Sequence, residues 1–296
     1  LRAKRKRNVG KNNFLPEIGW FFLPAAAGRI DWIFSGIFDK VSSGVVIKIV
    51  IPMLIFNWKM NPLSLKKARG FLNFYQKQVL KFKLSPSDFW VAPPAVFLEP
   101  LIEQYKNFIF GAQNCFYEKQ GAFTGEISPI TLKKLNANFV LLGHSERKKL
   151  GENLNLIHKK VVACLKAGLI TLLCFGELEK PKTLNIAKIE WENQYNQLLK
   201  KIDSKLANKL ILVFEPAWAI STQKQGWVER SYLESFIDWF GKRVKGRFKK
   251  IKLVYGGSVN SQVVQEFSGL PLAGYLIGAN SFQRQEFVKI LKAYYL

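Results

Sequence analysis

Phe139-Val140-Leu141-Leu142-Gly143-His144-Ser145-Glu146-Arg147 decides how the rest of the chain is read. Four apolar residues run into a glycine, and a histidine, a serine, a glutamate and an arginine follow. A short, unbroken apolar run reads as a strand buried on both faces, as in a parallel sheet. The polar residues then stand where that strand emerges. In α/β sheets, open or closed, ligands bind at the carboxyl ends of the strands. His144 is one of two histidines in the chain. A lone histidine there reads first as a structural turn residue. The repetition of the pattern at other strand ends is what points to chemistry.

Working outward, apolar strands alternate with amphipathic helices from Met53 onward. The strands are expected at Met53 to Trp58, Phe89 to Ala92, Phe108 to Ala112, up to Leu142, Leu169 to Leu173, Leu210 to Phe214, Ile251 to Val254 and Gly274 to Ile277. Helical segments between and after them include Leu65 to Phe82, Asn155 to Ala167, Asn185 to Ile202 and Tyr232 to Val244. Ser128-Pro129 is an N-cap followed by proline at the first helical position, and Gly168 closes the helix before it. Eight βα pairs in about 250 residues imply one α/β domain, a closed (β/α)8 barrel over residues 53 to 296 rather than an open sheet.

Residues 1 to 52 are unlike the remainder. A basic run, Arg2-Ala3-Lys4-Arg5-Lys6-Arg7, precedes an apolar patch at Ile18 to Pro24 and the small residues Ala25 to Gly28. A secretory signal and a basic, anion-touching arm are two readings of this pattern. The preferred reading is an N-terminal extension outside the fold, from upstream in-frame translation or a lineage-specific addition. Both methionines, Met53 and Met60, lie beyond it, and Met53 opens the first barrel strand.

Net charge is +24. The cations are scattered along helices rather than interleaved with aromatics on a stripe, so no nucleic-acid partner is expected for the globular part. No apolar stretch is long enough for a membrane span. Cys115, Cys164 and Cys174 are odd in number and lack metal-type or CxxC spacing, which points to a reducing, cytoplasmic setting.

At the first strand end, Asn57 and Lys59 are two residues apart, so both face the barrel mouth. Lys59 would supply a fixed positive charge. After the sixth strand comes Phe214-Glu215-Pro216, a glutamate at the edge of an apolar pocket. It suits a general base whose pKa burial would raise. Tyr255-Gly256-Gly257-Ser258 and Gly278-Ala279-Asn280-Ser281 follow the seventh and eighth strands. Small residues there leave backbone N–H groups free for a phosphate.

The motifs Asn57-Trp58-Lys59-Met60-Asn61, Gly121 to Glu126, Gly143 to Arg147, Cys174 to Glu177, Glu215 to Ile220 and Tyr255 to Val259 closely resemble the triosephosphate isomerase family, in order and spacing, over the whole of 53 to 296. The resemblance implies interconversion of dihydroxyacetone phosphate and glyceraldehyde 3-phosphate without cofactor or metal. It implies Glu215 as base, His144 as neutral electrophile and Lys59 as the cation beside the enediolate. Asn57 and Glu146 would be its neighbours. It further implies phosphate binding by Ser221, Ser258, Gly278 and Ala279, and a lid from Pro216 to about Gly226. Trp218 and Glu177 would meet near the lid's hinge, with Tyr255 and Ser258 receiving it. Thr124 would reach into the partner's site of a homodimer.

Two departures stand out. The lid reads Ala219-Ile220-Ser221-Thr222-Gln223 where the family run is Ala-Ile-Gly-Thr-Gly, so Ser221 and Gln223 stand in place of its two glycines, and Ala279 replaces a second glycine in the turn after the eighth strand. Alternatives are a barrel acting on another phosphosugar, and a non-catalytic anion-binding protein that kept the fold. His158 is expected to be a solvated helix residue and Cys174 small packing beside the site. If Ser221 and Gln223 slow the lid, a Ser221→Gly, Gln223→Gly variant gains rate. A wild-type-like KM with no gain in steady-state kinetics would remove that idea.

Overall fold

A computed structural model describes residues 38–41, 44–47, 53–220, 226–248 and 251–295. The basic run, the apolar patch, Ser221 and Gln223 lie outside the described residues. Strands β1 (Phe38–Val41) and β2 (Gly44–Ile47) pair antiparallel in a sheet of their own.

From Met53 the chain forms a closed parallel barrel. Its strands are β3 (Met53–Asn57), β4 (Phe89–Ala92), β5 (Ile109–Ala112), β6 (Phe139–Leu142), β7 (Ile170–Phe175), β8 (Leu210–Phe214), β9 (Lys252–Tyr255) and β10 (Gly274–Ile277), with β10 returning to pair with β3. The helices are α1 (Leu65–Lys81), α2 (Ala95–Gln104), α3 (Pro129–Lys134), α4 (Ser145–Lys149), α5 (Leu154–Lys166), α6 (Leu184–Gln194), α7 (Arg230–Val244), α8 (Ser261–Glu266) and α9 (Arg284–Tyr295). Strands β3, β5, β7 and β9 run one or two residues differently from the sequence expectation, because pairing to neighbours rather than apolarity sets strand ends. The helix expected over Asn185 to Ile202 is α6 followed by a π-helical turn, Tyr195–Leu199.

Side-chain caps start several of the helices, that at Ser128 as the sequence suggests. Ser64, Ser128, Asn153, Thr183 and Asn260 each accept a backbone N–H from the first turn that follows. Each such bond satisfies one of the donors that a helix start leaves free.

The strands alternate between two cores. Ile55, Leu141, Leu172, Cys174, Ile211, Val213, Val254 and Leu276 fill the barrel interior. Their neighbours Leu54, Phe56, Val140, Leu142, Leu212, Phe214 and Tyr255 face the helices. This two-residue period decides the site. Asn57 continues the inward series of Ile55, and Glu215 that of Ile211 and Val213. The outer layer is rich in aromatics: Tyr75 stacks on Phe287 at 4.4 Å between centroids, and Phe214 on Phe236 at 3.7 Å. Phe287 also meets Phe56 and Phe89. We expect Phe287→Ala, which empties the centre of that cluster, to cost about 3–5 kcal/mol, read as a lowered denaturant midpoint at fixed protein concentration.

Candidate active site

The carboxyl ends of the strands enclose a cleft. Asn57, Lys59, His144, Glu215, Ser258 and the Gly278–Ala279 turn are among the residues lining it. Asn57 is buried and its Oδ1 accepts the Lys59 N–H at 3.1 Å. Gln113 Nε2 donates to the Lys59 carbonyl at 2.8 Å. These contacts hold Lys59 at a φ of +53°, a left-handed conformation costing a non-glycine residue about 1 kcal/mol or more. Lys59 Nζ lies 2.6 Å from Glu146 Oε1. Glu146 is half-exposed and pairs with the lysine at the rim of the cleft.

His144 caps α4, and its Nδ1 accepts the Glu146 N–H at 3.2 Å. That bond leaves the proton of the neutral ring on Nε2, which lies 2.8 Å from Glu215 Oε1. Glu215 is 3% exposed. Ser145 donates to it twice, from its backbone N–H at 3.1 Å and its hydroxyl at 3.3 Å. Burial works to raise the Glu215 pKa and is the largest single influence. A positive charge on the protonated His144 ring, its hydrogen bond, the Lys148 charge and the Ser145 N–H outweigh it, and the net direction with that ring charged is down from the ordinary 4.5. The sequence expectation of a raised pKa is thereby corrected: it counted burial but not the donors that burial brings together. Lys148 moves down too, through burial, against the pull of Glu215 and more distant carboxylates.

Ser258 has a φ of +39° and a buried Oγ with no hydrogen-bond partner among the described residues. Asn280 Nδ2 donates to the Val259 carbonyl at 2.7 Å, tying the turn after β10 to the one after β9. The glycines after β9 are dictated by space. A Cβ on Gly256 would sit 2.8 Å from Val213 Cγ1, and one on Gly257 would sit 2.5 Å from Tyr255 Oη. At Gly278 a Cβ would make only ordinary contact, 3.5 Å from Lys59 Cε. Small residues are therefore required after β9 and merely tolerated after β10.

Thr124 is exposed in the long loop after β5 and is not part of the cleft lining. Trp218 Nε1 does reach Glu177 Oε2, at 3.4 Å. Val228 N–H points at Tyr255 Oη at 3.4 Å. Cys174 is fully buried inside the barrel, and burial followed by the neighbouring Glu215 pushes its thiol up, so it packs rather than attacks. His158 corrects an expectation: it is half-buried, with Nδ1 3.1 Å from the Leu198 carbonyl, because the π-helical turn after α6 packs on α5. Ser145 and Lys148 are contributors that sequence reasoning passed over. Ser145 had a signal, since it directly follows His144 at a helix start. Lys148 had none among so many lysines.

Among the described residues no helix is long and apolar enough to cross a membrane. Residues 52–294 match the family described as Triosephosphate isomerase. The triosephosphate isomerase of Aquifex aeolicus is 33% identical over 82% of this chain and 99% of its own length. That of Carboxydothermus hydrogenoformans is 32% identical over 81% and 98%. That of Coprinopsis cinerea is 33% identical over 80% and 95%.

The lowered Glu215 pKa has a sign that can be checked. A folded-state value below the unfolded one stabilises the protein above pH about 4.5, and that contribution is lost as pH falls through the lowered value. We expect a carbon-13 NMR titration to place the Glu215 midpoint below 4.5, and Ser145→Ala, which removes the hydroxyl donor but keeps the backbone N–H, to leave it below 4.5.

Proposed function

The chain belongs to the triosephosphate isomerase family, and from that membership we propose how its cleft interconverts dihydroxyacetone phosphate and D-glyceraldehyde 3-phosphate. One observation carries the reading. A buried carboxylate, Glu215, and an imidazole N–H, His144 Nε2, stand 2.8 Å apart in a cleft that Lys59 also lines. A carbon acid beside a carbonyl needs a base at the carbon and donors at the oxygen that gains charge.

Glu215 takes the proton from one carbon and returns it to its neighbour. His144 Nε2–H polarises the carbonyl and passes a proton between the two oxygens. This pairing of a carboxylate base with a neutral imidazole is the one known for this enzyme family. Lys59 offsets the enediolate charge, and Asn57 holds the lysine backbone in place. Glu146 keeps the lysine at the rim until the substrate's own negative charge competes for it. Substrate binding would draw Glu215 away from Ser145 and His144. The burial that raises its pKa would then be opposed by the Lys148 charge but no longer by those donors, giving a stronger base than the free protein holds.

The phosphate would lie against the turns after β9 and β10, with Ser258, Gly278 and Ala279 beside it. Small residues there allow backbone N–H groups to approach an anion. The unpartnered Ser258 hydroxyl supports this, since a buried polar atom without a partner costs free energy until something fills it. Ser221 and the rest of the lid belong to the same reading. So does a homodimer in which Thr124, exposed on its loop, contributes to the partner's cleft. Residues 53–296 would be the catalytic unit, working in the cytoplasm, with residues 1–52 outside it.

We expect Glu215→Gln to lower kcat by about 10²–10⁴-fold with little change in KM, in a coupled assay of glyceraldehyde 3-phosphate isomerisation. Inactivity of a folded wild-type protein would overturn the reading in favour of a non-catalytic anion binder.

A further inference from the structure

Behind Glu215 lies a second, fully buried carboxylate. Glu177 follows β7 by two residues and is 0% exposed. It takes part in no ion pair among the described residues, and three neutral donors meet it instead. Trp191 Nε1 and the Tyr232 hydroxyl, at 2.7 Å, both donate to Oε1. Trp218 Nε1 donates to Oε2 at the longer distance of 3.4 Å. A buried anion is costly unless its lone pairs are filled, so the position of this carboxylate follows its donors.

Two of those donors are set by packing away from the cleft. Trp191, on α6, is fully buried and lies edge-on to Tyr232 and to Phe236. Tyr232, on the first turn of α7, lies edge-on to Trp218 at 5.7 Å and 82°. Its phenol remains a donor, because burial and then the adjacent Glu177 charge push its pKa well above the usual range. The third donor, Trp218, is three residues beyond the catalytic base.

Glu177 also bears on that base through its main chain. Its carbonyl accepts the Ala217 N–H at 2.7 Å. The preceding Gly176 approaches so closely that a Cβ there would lie 2.6 Å from the Glu215 carbonyl oxygen. The Gln194 amide grips Gly176 from the other side, at 3.1 Å on its N–H and 3.0 Å on its carbonyl. The Gly176–Glu177 turn is thus held from behind by α6 and α7 and supports the Glu215–Trp218 segment in front.

We propose that Tyr232 is a positioning residue for the isomerisation: its hydroxyl fixes the Glu177 carboxylate, and Glu177 fixes the Ala217–Trp218 turn that carries Glu215. The proposal rests on Glu215 being the base. Loss of the hydroxyl leaves Oε1 with one donor. The carboxylate then recovers a hydrogen bond by drawing on the nearest other donor, the Trp218 indole. A small shift of that turn misplaces Glu215, and misplacements of about 1 Å can cost as much as 10²-fold in rate.

The test uses the full chain with Tyr232→Phe, which keeps the ring and removes only the hydroxyl. Kinetics and proton–nitrogen NMR of the indole N–H groups are measured together, with Trp218→Phe serving to assign the Trp218 resonance. The expected result is a several-fold lower kcat, a KM within about twofold of wild type, and a displaced Trp218 indole resonance. Glu177→Gln should remove the sensitivity, so that the double variant is no worse than Glu177→Gln alone. An unmoved Trp218 resonance overturns the proposal, as does a moved resonance with wild-type kcat. If the wild-type protein itself fails to isomerise, the assignment of Glu215 falls, whereas failure of the Tyr232 link alone leaves wild-type activity intact.

Discussion

A carboxylate placed inside protein must have its charge met by groups already in position, and Glu215 imposes that requirement on everything around it. Ser145 is drawn to it by two donors and His144 by a third, so the start of α4 is fixed against the end of β8. The Glu146 N–H then finds its acceptor in His144 Nδ1, which sets the tautomer. One anion thereby orients the imidazole ring beside it. The same contacts that stabilise the carboxylate lower its basicity.

Of the four non-glycine residues at positive φ among the described residues, Lys83 and Asn136 are not among those lining the cleft, and two are. Lys59 and Ser258 are non-glycine residues at positive φ, and both line the cleft. Such conformations persist only where surrounding contacts over-determine them. For Lys59 those contacts are Asn57 Oδ1 on one side of the residue and Gln113 Nε2 on the other. The result is an ammonium group directed by the backbone, with Glu146 as its resting partner. Ser258 carries both strain and an unpartnered hydroxyl, which is the combination expected where a ligand completes the structure.

The two turns facing that hydroxyl are small for different reasons. Gly256 and Gly257 are excluded from carrying a side chain by Val213 and by the Tyr255 hydroxyl. At Gly278 there is room, and Ala279 occupies an exposed place in the same turn. The substitution of alanine at 279 is therefore a change at the ligand surface rather than in the packing of the barrel. Glu177 and its donors form the rear wall of the same arrangement, where two indoles and a phenol donate hydrogen bonds to a carboxylate that takes part in no ion pair among the described residues.

The sequence by itself determined the fold and the family, and pointed to the residues that line the cleft. Eight apolar runs alternating with amphipathic helices leave a closed parallel barrel as the way to bury both strand faces, and the two-residue period then aims Asn57, Lys59 and Glu215 inward. These are local properties, fixed by side-chain chemistry and backbone geometry. What only the tertiary structure decided is how those residues modify one another. The direction of the Glu215 pKa depends on donors from Ser145, seventy positions away in sequence, and no local window contains both. The partial burial of His158 depends on a π-helical turn that strand and helix periodicity does not encode. Tyr232 reads in sequence as an ordinary helix residue, and gains its role only where α6 and α7 close over Glu177. Charges and hydrogen bonds act through space, so their consequences are settled by packing and not by order along the chain.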